Sequence, residues 1–144
     1  MDLTKLLPKL VPFINTVGLR IDSVTPGQAT ATLPSRAEVH NHMGTCHAGA
    51  VYTLGESASG GVVLSMFADQ LPGVFIALKS AVVTHSKAAP GDVVATAQLD
   101  GDPAATRAAY EADGRVDFDV VVELKVGEVE TARVVYTWAV RAPR

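Results

Sequence analysis

The residues that could do chemistry are concentrated between positions 41 and 60. Glu56 is the only charged residue between His47 and Asp69. An ionised carboxylate in such an uncharged segment costs several kcal/mol unless it is paired or hydrogen-bonded. A chain therefore retains one either for a structural partner or for chemistry. Asn41 lies just upstream, so an amide, an imidazole and an isolated carboxylate fall within one short segment.

The carboxylate is expected on a helix that begins near His47 and ends before the Pro-Gly pair at residues 72–73. Free N–H groups and the positive dipole end at the start of a helix stabilise negative charge on a carbonyl oxygen. An apolar setting would raise the pKa of Glu56 towards that of a useful general base. At about 100° per residue, His47 and Glu56 face apart on one regular helix, so they cannot readily form a dyad within one chain.

Around this helix the sequence predicts an antiparallel sheet. The segments after residue 74 are rich in valine and alternate in polarity, as strands do. The helix itself carries many small residues, which are tolerable where a sheet approaches closely, although each glycine costs about 1 kcal/mol of helix propensity. The predicted elements are a helix over residues 2–14, a hairpin of strands 19–24 and 28–33 that turns at Thr25-Pro26-Gly27, a loop over 34–46, the helix from 47, strands over 74–84, 92–99, 115–125 and 129–140, and a surface connection or short helix over 100–114.

Composition narrows the class of protein. The chain has 144 residues, 48% of them hydrophobic, and fits one globular domain over residues 1–144. A net charge of −3 without a basic stripe argues against a nucleic-acid partner. Cys46 is the only cysteine, which excludes an intramolecular disulfide and indicates a reducing cytoplasm. Residues 48–68 contain Glu56, glycines and serines, which favours a buried helix over a membrane span, and the N-terminus does not match a signal peptide.

The order of elements and one motif together resemble a known family. The motif reads Asn41-x-x-Gly44-x-x-His47-Ala48-Gly49 and leads into Leu54-x-Glu56-x-Ala58-x-Gly60. This pattern resembles the hotdog-fold acyl-CoA thioesterases, particularly the PaaI-like branch, and the resemblance covers nearly the whole chain. It implies an α+β hotdog fold, in which an antiparallel sheet of five or six strands wraps around one long central helix.

The resemblance also implies roles for individual residues. Glu56 would act as general base for water, or as nucleophile, on a thioester carbonyl, and the N–H of Ala48 would donate to the developing oxyanion. Asn41 would position the water or the thioester. The acid of one subunit would face the helix start of the other, in a homodimer or a dimer of dimers. The remaining implied site residues are His47 and Gly49 in the catalytic segment, and Gly44, Ser59, Gly60, Lys79 and Lys87 for the substrate, with Arg36 as a further candidate for the phosphates of coenzyme A. No metal and no cofactor beyond the coenzyme A of the substrate are expected.

Three positions depart from the family pattern. Ala48 stands where glycine is commoner in the family. Alanine keeps the backbone N–H, but its methyl group narrows the space through which a substrate approaches that N–H. Glu56 replaces the more frequent aspartate. Some family members use a glutamate here, together with a threonine one turn later that orients it, and this chain has Gly60 at that later position. Ser57 or Ser59 would have to orient the Glu56 carboxylate, or no residue does.

Several of these residues have purely structural alternatives. Glu56 could be paired with a cation across a dimer interface. His47 could cap the helix rather than transfer a proton, and Asn41 could satisfy its own turn.

Two other kinds of site, a cysteine nucleophile and a zinc site, are disfavoured by the sequence. Cys46 beside His47 could be a nucleophile, but neighbours in sequence do not usually face each other, so a structural cysteine is favoured. The three histidines His40, His42 and His47 match no zinc-ligand spacing.

We therefore expect hydrolysis of an acyl-CoA thioester by water activated at Glu56. The alternative is a non-catalytic acyl-CoA binding or sensing domain, which Ala48 and Gly60 keep open. A hotdog dehydratase or hydratase is disfavoured because its dyad signatures are missing from the sequence.

Overall fold

The structure is a computed structural model that describes residues 1–144, and its elements follow the predicted order. Two short 3-10 turns, Ala37–Val39 and Ala68–Gln70, flank the long helix. None of the helices combines the length and apolar character that crossing a bilayer requires. The helices are α1 (Leu3–Leu10), α2 (Phe13–Val17), α3 (Ala48–Phe67) and α4 (Pro103–Asp113), and the strands are β1 (Arg20–Thr25), β2 (Gln28–Leu33), β3 (Phe75–His85), β4 (Val93–Leu99), β5 (Arg115–Val126) and β6 (Val129–Arg141).

The N-terminal region contains two helices where the sequence predicted one. The side chain of Asp2 caps α1 by accepting a hydrogen bond from the N–H of Thr4. At Val11 the backbone leaves the helical region, with φ −123° and ψ 85°. The residue before a proline is pushed away from helical dihedrals by the proline ring, so Pro12 ends α1 and starts a new helix. The predicted helix over residues 2–14 was therefore wrong in its continuity.

The six strands form one antiparallel sheet in the order β1-β2-β4-β5-β6-β3. The β1–β2 hairpin turns at Gly27, whose φ of +76° is the positive value that the predicted type II turn needs from glycine. β4 alternates strictly between buried and exposed residues, as the sequence pattern indicated. The edges of the sheet are β1 and β3, and β3 is 11 residues long.

Small residues let α3 approach the sheet closely, as predicted. A Cβ on Gly55 would collide with the hydroxyl of Tyr136 on β6, and one on Gly61 would lie 3.0 Å from Cβ of Ala29 on β2. The Tyr136 hydroxyl donates to the carbonyl oxygen of Tyr52 at 2.7 Å, which fixes the helix against the strand. Gly60 faces away from these contacts, because a Cβ there would meet only Leu7, at 4.0 Å.

The far end of α3 is held by α4, the helix in the connection over residues 100–114. Arg107 of α4 donates to the carbonyl oxygen of Met66 at 2.7 Å and forms a bidentate ion pair with Asp69. Its guanidinium lies 5.7 Å from the ring centre of Phe67. The pair lowers the pKa of Asp69 to about 2. A cation at the carbonyl end of a helix interacts favourably with the helix dipole, so α4 stabilises the end of α3 opposite to the candidate site.

Two glycine substitutions on α3 test the close approach. Gly55→Ala should destabilise the protein by about 1–3 kcal/mol, because the new methyl group collides with Tyr136 in a filled core. Gly60→Ala is the matched control and should stabilise it by up to about 1 kcal/mol, because alanine is the better helix former and the methyl group has room. Urea unfolding measures both changes. Effects of the same sign would contradict this account of the helix–sheet contact.

Candidate active site

The first turn of α3 has a single free backbone donor. His47 is the N-cap, and its Nδ1 accepts a hydrogen bond from the N–H of Gly49 at 2.8 Å. The N–H groups of Ala50 and Val51 both donate to the carbonyl oxygen of His47 at 3.0 Å. The N–H of Ala48 has no acceptor within the chain. The capping pattern therefore leaves only this group to bind an oxygen atom, and the structural alternative for His47, a helix cap, is confirmed.

The loop before α3 is organised by Asn41. Its Oδ1 accepts from the N–H groups of Met43 at 2.9 Å and Thr45 at 3.2 Å, and its Nδ2 donates to the Thr45 hydroxyl at 2.9 Å. Gly44 completes this turn at φ +74°. The amide is thus occupied within its own loop, which is the turn role that the sequence left open. This loop sets the position of the residues that begin α3.

A cleft of about 360 Å³ opens at the start of α3, and we call it the helix-start cleft. Asn41 and Ala48 line this cleft, together with His85 and Lys87 at and just after the end of β3. Lys87 is exposed and forms no ion pair. The structure therefore places a predicted substrate-binding cation in the same cleft as the free N–H at the helix start.

Glu56 borders a different and smaller cavity, of about 80 Å³, which we call the Glu56 cavity. Its carboxylate is partly buried, and burial raises its pKa. No hydrogen bond or ion pair within the chain involves this carboxylate. The cavity also contains Leu7, Phe13, Gly60 and Trp138. Glu56 and the helix start thus lie in separate cavities, as the helical spacing predicted.

The serines that could have oriented Glu56 do not contact its carboxylate. The hydroxyl of Ser57 donates to the carbonyl oxygen of Thr53 at 2.7 Å. Ser59 is fully buried, donates to the backbone carbonyl of Glu56 at 2.7 Å and accepts from Trp138 Nε1 at 3.0 Å. The prediction that Ser59 binds substrate is therefore corrected, because its hydroxyl is enclosed between α3 and the sheet. Gly60 does border the Glu56 cavity but offers no side chain.

Two further predicted cations lie apart from the helix-start cleft. Lys79 forms an ion pair with Asp117 at 2.9 Å. The next residue of the strand, Phe118, stacks on Phe67 of α3, so Asp117 lies on the opposite face of the sheet. Lys79 is therefore on the side of the sheet away from α3 in its own chain. Arg36 donates to the carbonyl oxygen of Val17 at 2.5 Å and borders a third cavity, of about 360 Å³, which His47 and Gly49 also line.

Cys46 has the structural role that the sequence favoured. The side chain is buried, its Sγ lies 3.6 Å from the carbonyl oxygen of Gly91, and burial raises the pKa of the thiol. A thiol that resists deprotonation is a poor nucleophile. His40 shares a hydrogen bond of 2.7 Å with the Ser35 hydroxyl, and no three His, Cys, Asp or Glu side chains converge as metal ligands would.

Sequence reasoning missed the walls of the Glu56 cavity. Trp138 was predicted as a core aromatic, and it also lines this cavity. The other missed residues lie on α1, on α2 and on the turn of α3 before Glu56. The apolar stripe of the N-terminal segment was a usable signal, but it could not identify the surface on which that stripe packs. The missed residues that line the cavity are Leu7, Val11, Phe13, Ile14 and Thr53.

The unpaired carboxylate predicts a stability gain in a variant. Burial raises the pKa of Glu56 in the folded protein above its value in the unfolded chain, which is near 4.5. Below that pH the carboxyl group is protonated in both states and does not destabilise the folded protein. As the pH rises above 4.5, ionisation favours the unfolded chain and the free energy of unfolding falls. Glu56→Gln should therefore have a higher Tm than the parent protein at pH 8, and the two should unfold alike at pH 4. Glu128→Gln, at an exposed turn, is the control and should show no such pH-dependent difference. A Glu56→Gln protein that is less stable at pH 8 would instead favour an ion pair across an interface.

Solved structures establish the fold as the hotdog fold. One is a Pseudomonas aeruginosa protein described as a "probable thioesterase", with 22% identity, a TM-score of 0.83 and coverage of 97% of this chain and 93% of the other. A variant of a thioesterase from the same organism has 17% identity and a TM-score of 0.78, with 96% and 94% covered. A variant of the phenylacetic acid degradation protein PaaI from Thermus thermophilus has 21% identity and a TM-score of 0.70, with 89% and 97% covered.

Sequence comparison adds the family. No curated protein matches the chain. The model of one family, described as a domain of unknown function, DUF4442, matches residues 3–140. The chain therefore belongs to the DUF4442 family and has the hotdog fold.

Proposed function

We propose that this protein hydrolyses acyl-CoA thioesters, with water activated by Glu56. The observation that carries the proposal is the carboxylate itself, which is partly buried, has a raised pKa and has no partner in the chain. A raised pKa makes the ionised carboxylate a stronger base, which suits it to general-base catalysis. The fold supports the reaction class, because the similar solved structures include proteins named as thioesterases.

The reaction uses one free donor and one base. Glu56 takes a proton from water as the water oxygen attacks the thioester carbonyl carbon. The negative charge that develops on the carbonyl oxygen is bound by the N–H of Ala48, with the positive dipole end of α3 behind it. The carbon–sulfur bond then breaks, and the thiolate of coenzyme A takes up the proton, which leaves the free acid. One such donor typically lowers the barrier by about 2.7–4 kcal/mol.

Two copies of the chain are needed to complete this site. Ala48 and Glu56 lie in separate cavities, so one chain cannot offer both groups to one carbonyl. The edge strand β3 carries exposed apolar residues, and a long exposed edge of this kind is suited to pairing with a second copy. We propose a homodimer through β3, in which Glu56 of one copy faces Ala48 of the other, with assembly into a dimer of dimers as a further step. The exposed apolar residues of β3 are Phe75, Val82 and Val83.

One observation favours a second candidate, a domain that binds acyl-CoA without hydrolysing it. No donor within the chain orients the carboxylate of Glu56, because the hydroxyls of Ser57 and Ser59 bond to backbone carbonyls and Gly60 has no side chain. A base without an orienting partner loses part of its catalytic advantage. Hydrolysis of acyl-CoA by the purified protein distinguishes the thioesterase from the binding domain.

A substrate panel tests the proposed reaction. The protein is incubated with short, medium, long and aromatic acyl-CoAs, and loss of thioester absorbance is followed so that Cys46 cannot react with a thiol reagent. Glu56→Gln should lower kcat by about 10²-fold or more with little change in KM, because the general base is lost. Glu128→Gln should match the parent protein. Acyl-CoA binding without turnover in the parent protein would instead identify the binding domain.

Two substitutions of His47 test the single free donor. His47→Asn keeps a neutral acceptor for the Gly49 N–H, so kcat should stay within about threefold of the parent value. His47→Asp keeps the cap but places a negative charge beside the Ala48 N–H, so kcat should fall at least about tenfold, equivalent to about 1.4 kcal/mol of barrier. A large loss in His47→Asn would show that the imidazole transfers a proton, and equal rates in both variants would contradict the oxyanion role of Ala48.

A further inference from the structure

Tyr52 lies one turn before Glu56 on α3 and carries a hydroxyl without a partner. Its ring is partly buried and packs against the ring of Tyr136 on β6, with 5.4 Å between the ring centres. The Tyr136 hydroxyl donates to the backbone carbonyl of Tyr52 at 2.7 Å, which ties this residue to the strand. The hydroxyl of Tyr52 itself makes no hydrogen bond within the chain. A phenol held in place in this way is available to a group that lies beside it.

Tyr52 and Glu56 lie on the same side of α3. Residues four apart on a helix are neighbours on its surface. Tyr52 packs on Tyr136, and Glu56 shares its cavity with Trp138. These two aromatic residues are two positions apart on β6 and therefore on the same face of the strand. Because helical side chains lean towards the start of their helix, the carboxylate of Glu56 lies over the turn that carries Tyr52.

The electrostatics of this region agree with that placement. Burial raises the pKa of Tyr52, and the negative charge of Glu56 raises it further. The pKa of Tyr136 is also raised, by burial first and then by the charges of Tyr52 and Glu56. The residues of α1, α2 and β6 that line the Glu56 cavity are all uncharged. No cation among them therefore competes for the carboxylate.

The other side-chain donors around Glu56 are already in use. The indole Nε1 of Trp138 donates to the hydroxyl of Ser59, and the hydroxyl of Tyr136 donates to a backbone carbonyl. The neighbouring hydroxyls of α3 all donate to backbone carbonyl oxygens of their own helix. They belong to Thr53, Ser57 and Ser59. Tyr52 is thus the donor that remains free beside the carboxylate.

We propose that the hydroxyl of Tyr52 donates a hydrogen bond to the ionised carboxylate of Glu56 and is thereby the positioning residue for the general base. This inference rests on the proposed function, to which it adds the residue that orients the base. The bond forms by rotation of the glutamate side chain, whose carboxylate has no hydrogen-bond partner in the structure. The Tyr52 ring is held against Tyr136, so the carboxylate is the group that turns. A hydroxyl that donates to a carboxylate makes a short, charge-assisted bond.

Titration of Glu56 tests this bond without using turnover. Carbon NMR of protein with isotope-labelled glutamate follows the side-chain carboxyl of Glu56, which is identified by its loss in Glu56→Gln. Tyr52→Phe keeps the ring and removes only the hydroxyl. Because a donor favours the ionised form, the pKa of Glu56 should rise by about 1 in this variant. Tyr110→Phe is the matched control and should leave it unchanged, because Tyr110 is a buried tyrosine that packs on Phe67 at the other end of α3.

Each outcome of the titration decides for or against the bond. An unchanged or lower pKa of Glu56 in Tyr52→Phe overturns it. If Tyr52→Phe fails to fold, the reverse measurement decides: the pKa of Tyr52, followed through its ring signals, should fall in Glu56→Gln, and an unchanged value overturns the bond. If the pKa of Glu56 rises as expected but the parent protein hydrolyses no acyl-CoA, the bond stands and the proposed function fails.

The pH profile of hydrolysis tests the positioning role. In Tyr52→Phe the acid limb of kcat/KM should move to higher pH by the same amount as the pKa of Glu56. At the same time kcat should fall about tenfold with little change in KM, because the base is less often aligned with the water. Tyr110→Phe should keep the parent profile. A raised KM with the acid limb in place would mean that Tyr52 contacts the substrate instead, and would overturn the proposal.

Discussion

The close contact between α3 and the sheet is the constraint on which the rest of the structure depends. Gly55 and Gly61 let the helix backbone approach β6 and β2, and the hydroxyl of Tyr136 locks the contact from the strand side. A helix held this tightly cannot rotate without collisions. The direction of every side chain on α3 is therefore set by packing. Glu56 is directed into its cavity as a result, although its charge makes that place unfavourable.

The same rigid helix separates the two groups that the proposed chemistry requires. The cap formed by His47 leaves the N–H of Ala48 free at the end of α3, while Glu56 lies two turns later in another cavity. No rotation of side chains can bring these groups together. A second copy, paired through the unpaired edge of β3, would supply the missing partner at each site. In the proposed mechanism, catalysis and assembly then follow from one geometric constraint, namely that a straight helix presents its start and its middle in different directions.

The sequence predicted the elements well because their signals are local. Polarity alternation placed the strands within about two residues, and the Pro-Gly turn and helix start were correct. The break at Val11–Pro12 was not located, because Pro8 and Pro12 indicated an irregular helix but the spacing of apolar residues could not show at which proline it divides. Ser59 and Lys79 were assigned to the substrate from motif position and charge, yet one is enclosed against Trp138 and the other is bound to Asp117 across the sheet. Such partners lie 79 and 38 residues away in sequence, so no local pattern could identify them.

The positions of charged residues also depend on contacts between distant parts of the chain. Arg115 and Arg141 are 26 positions apart and appear in sequence as ordinary surface arginines, but strand pairing places them opposite each other. This pairing of two cations is therefore a property of the fold. Lys87 at the helix-start cleft lies at the other end of β3, so each chain carries its cations at both ends of the edge strand. In the proposed dimer, antiparallel pairing of two β3 edges would place the end of one strand beside the start of the other. That association would join the free N–H of Ala48 in one copy to the carboxylate of Glu56 in the other, two groups that lie in separate cavities of a single chain.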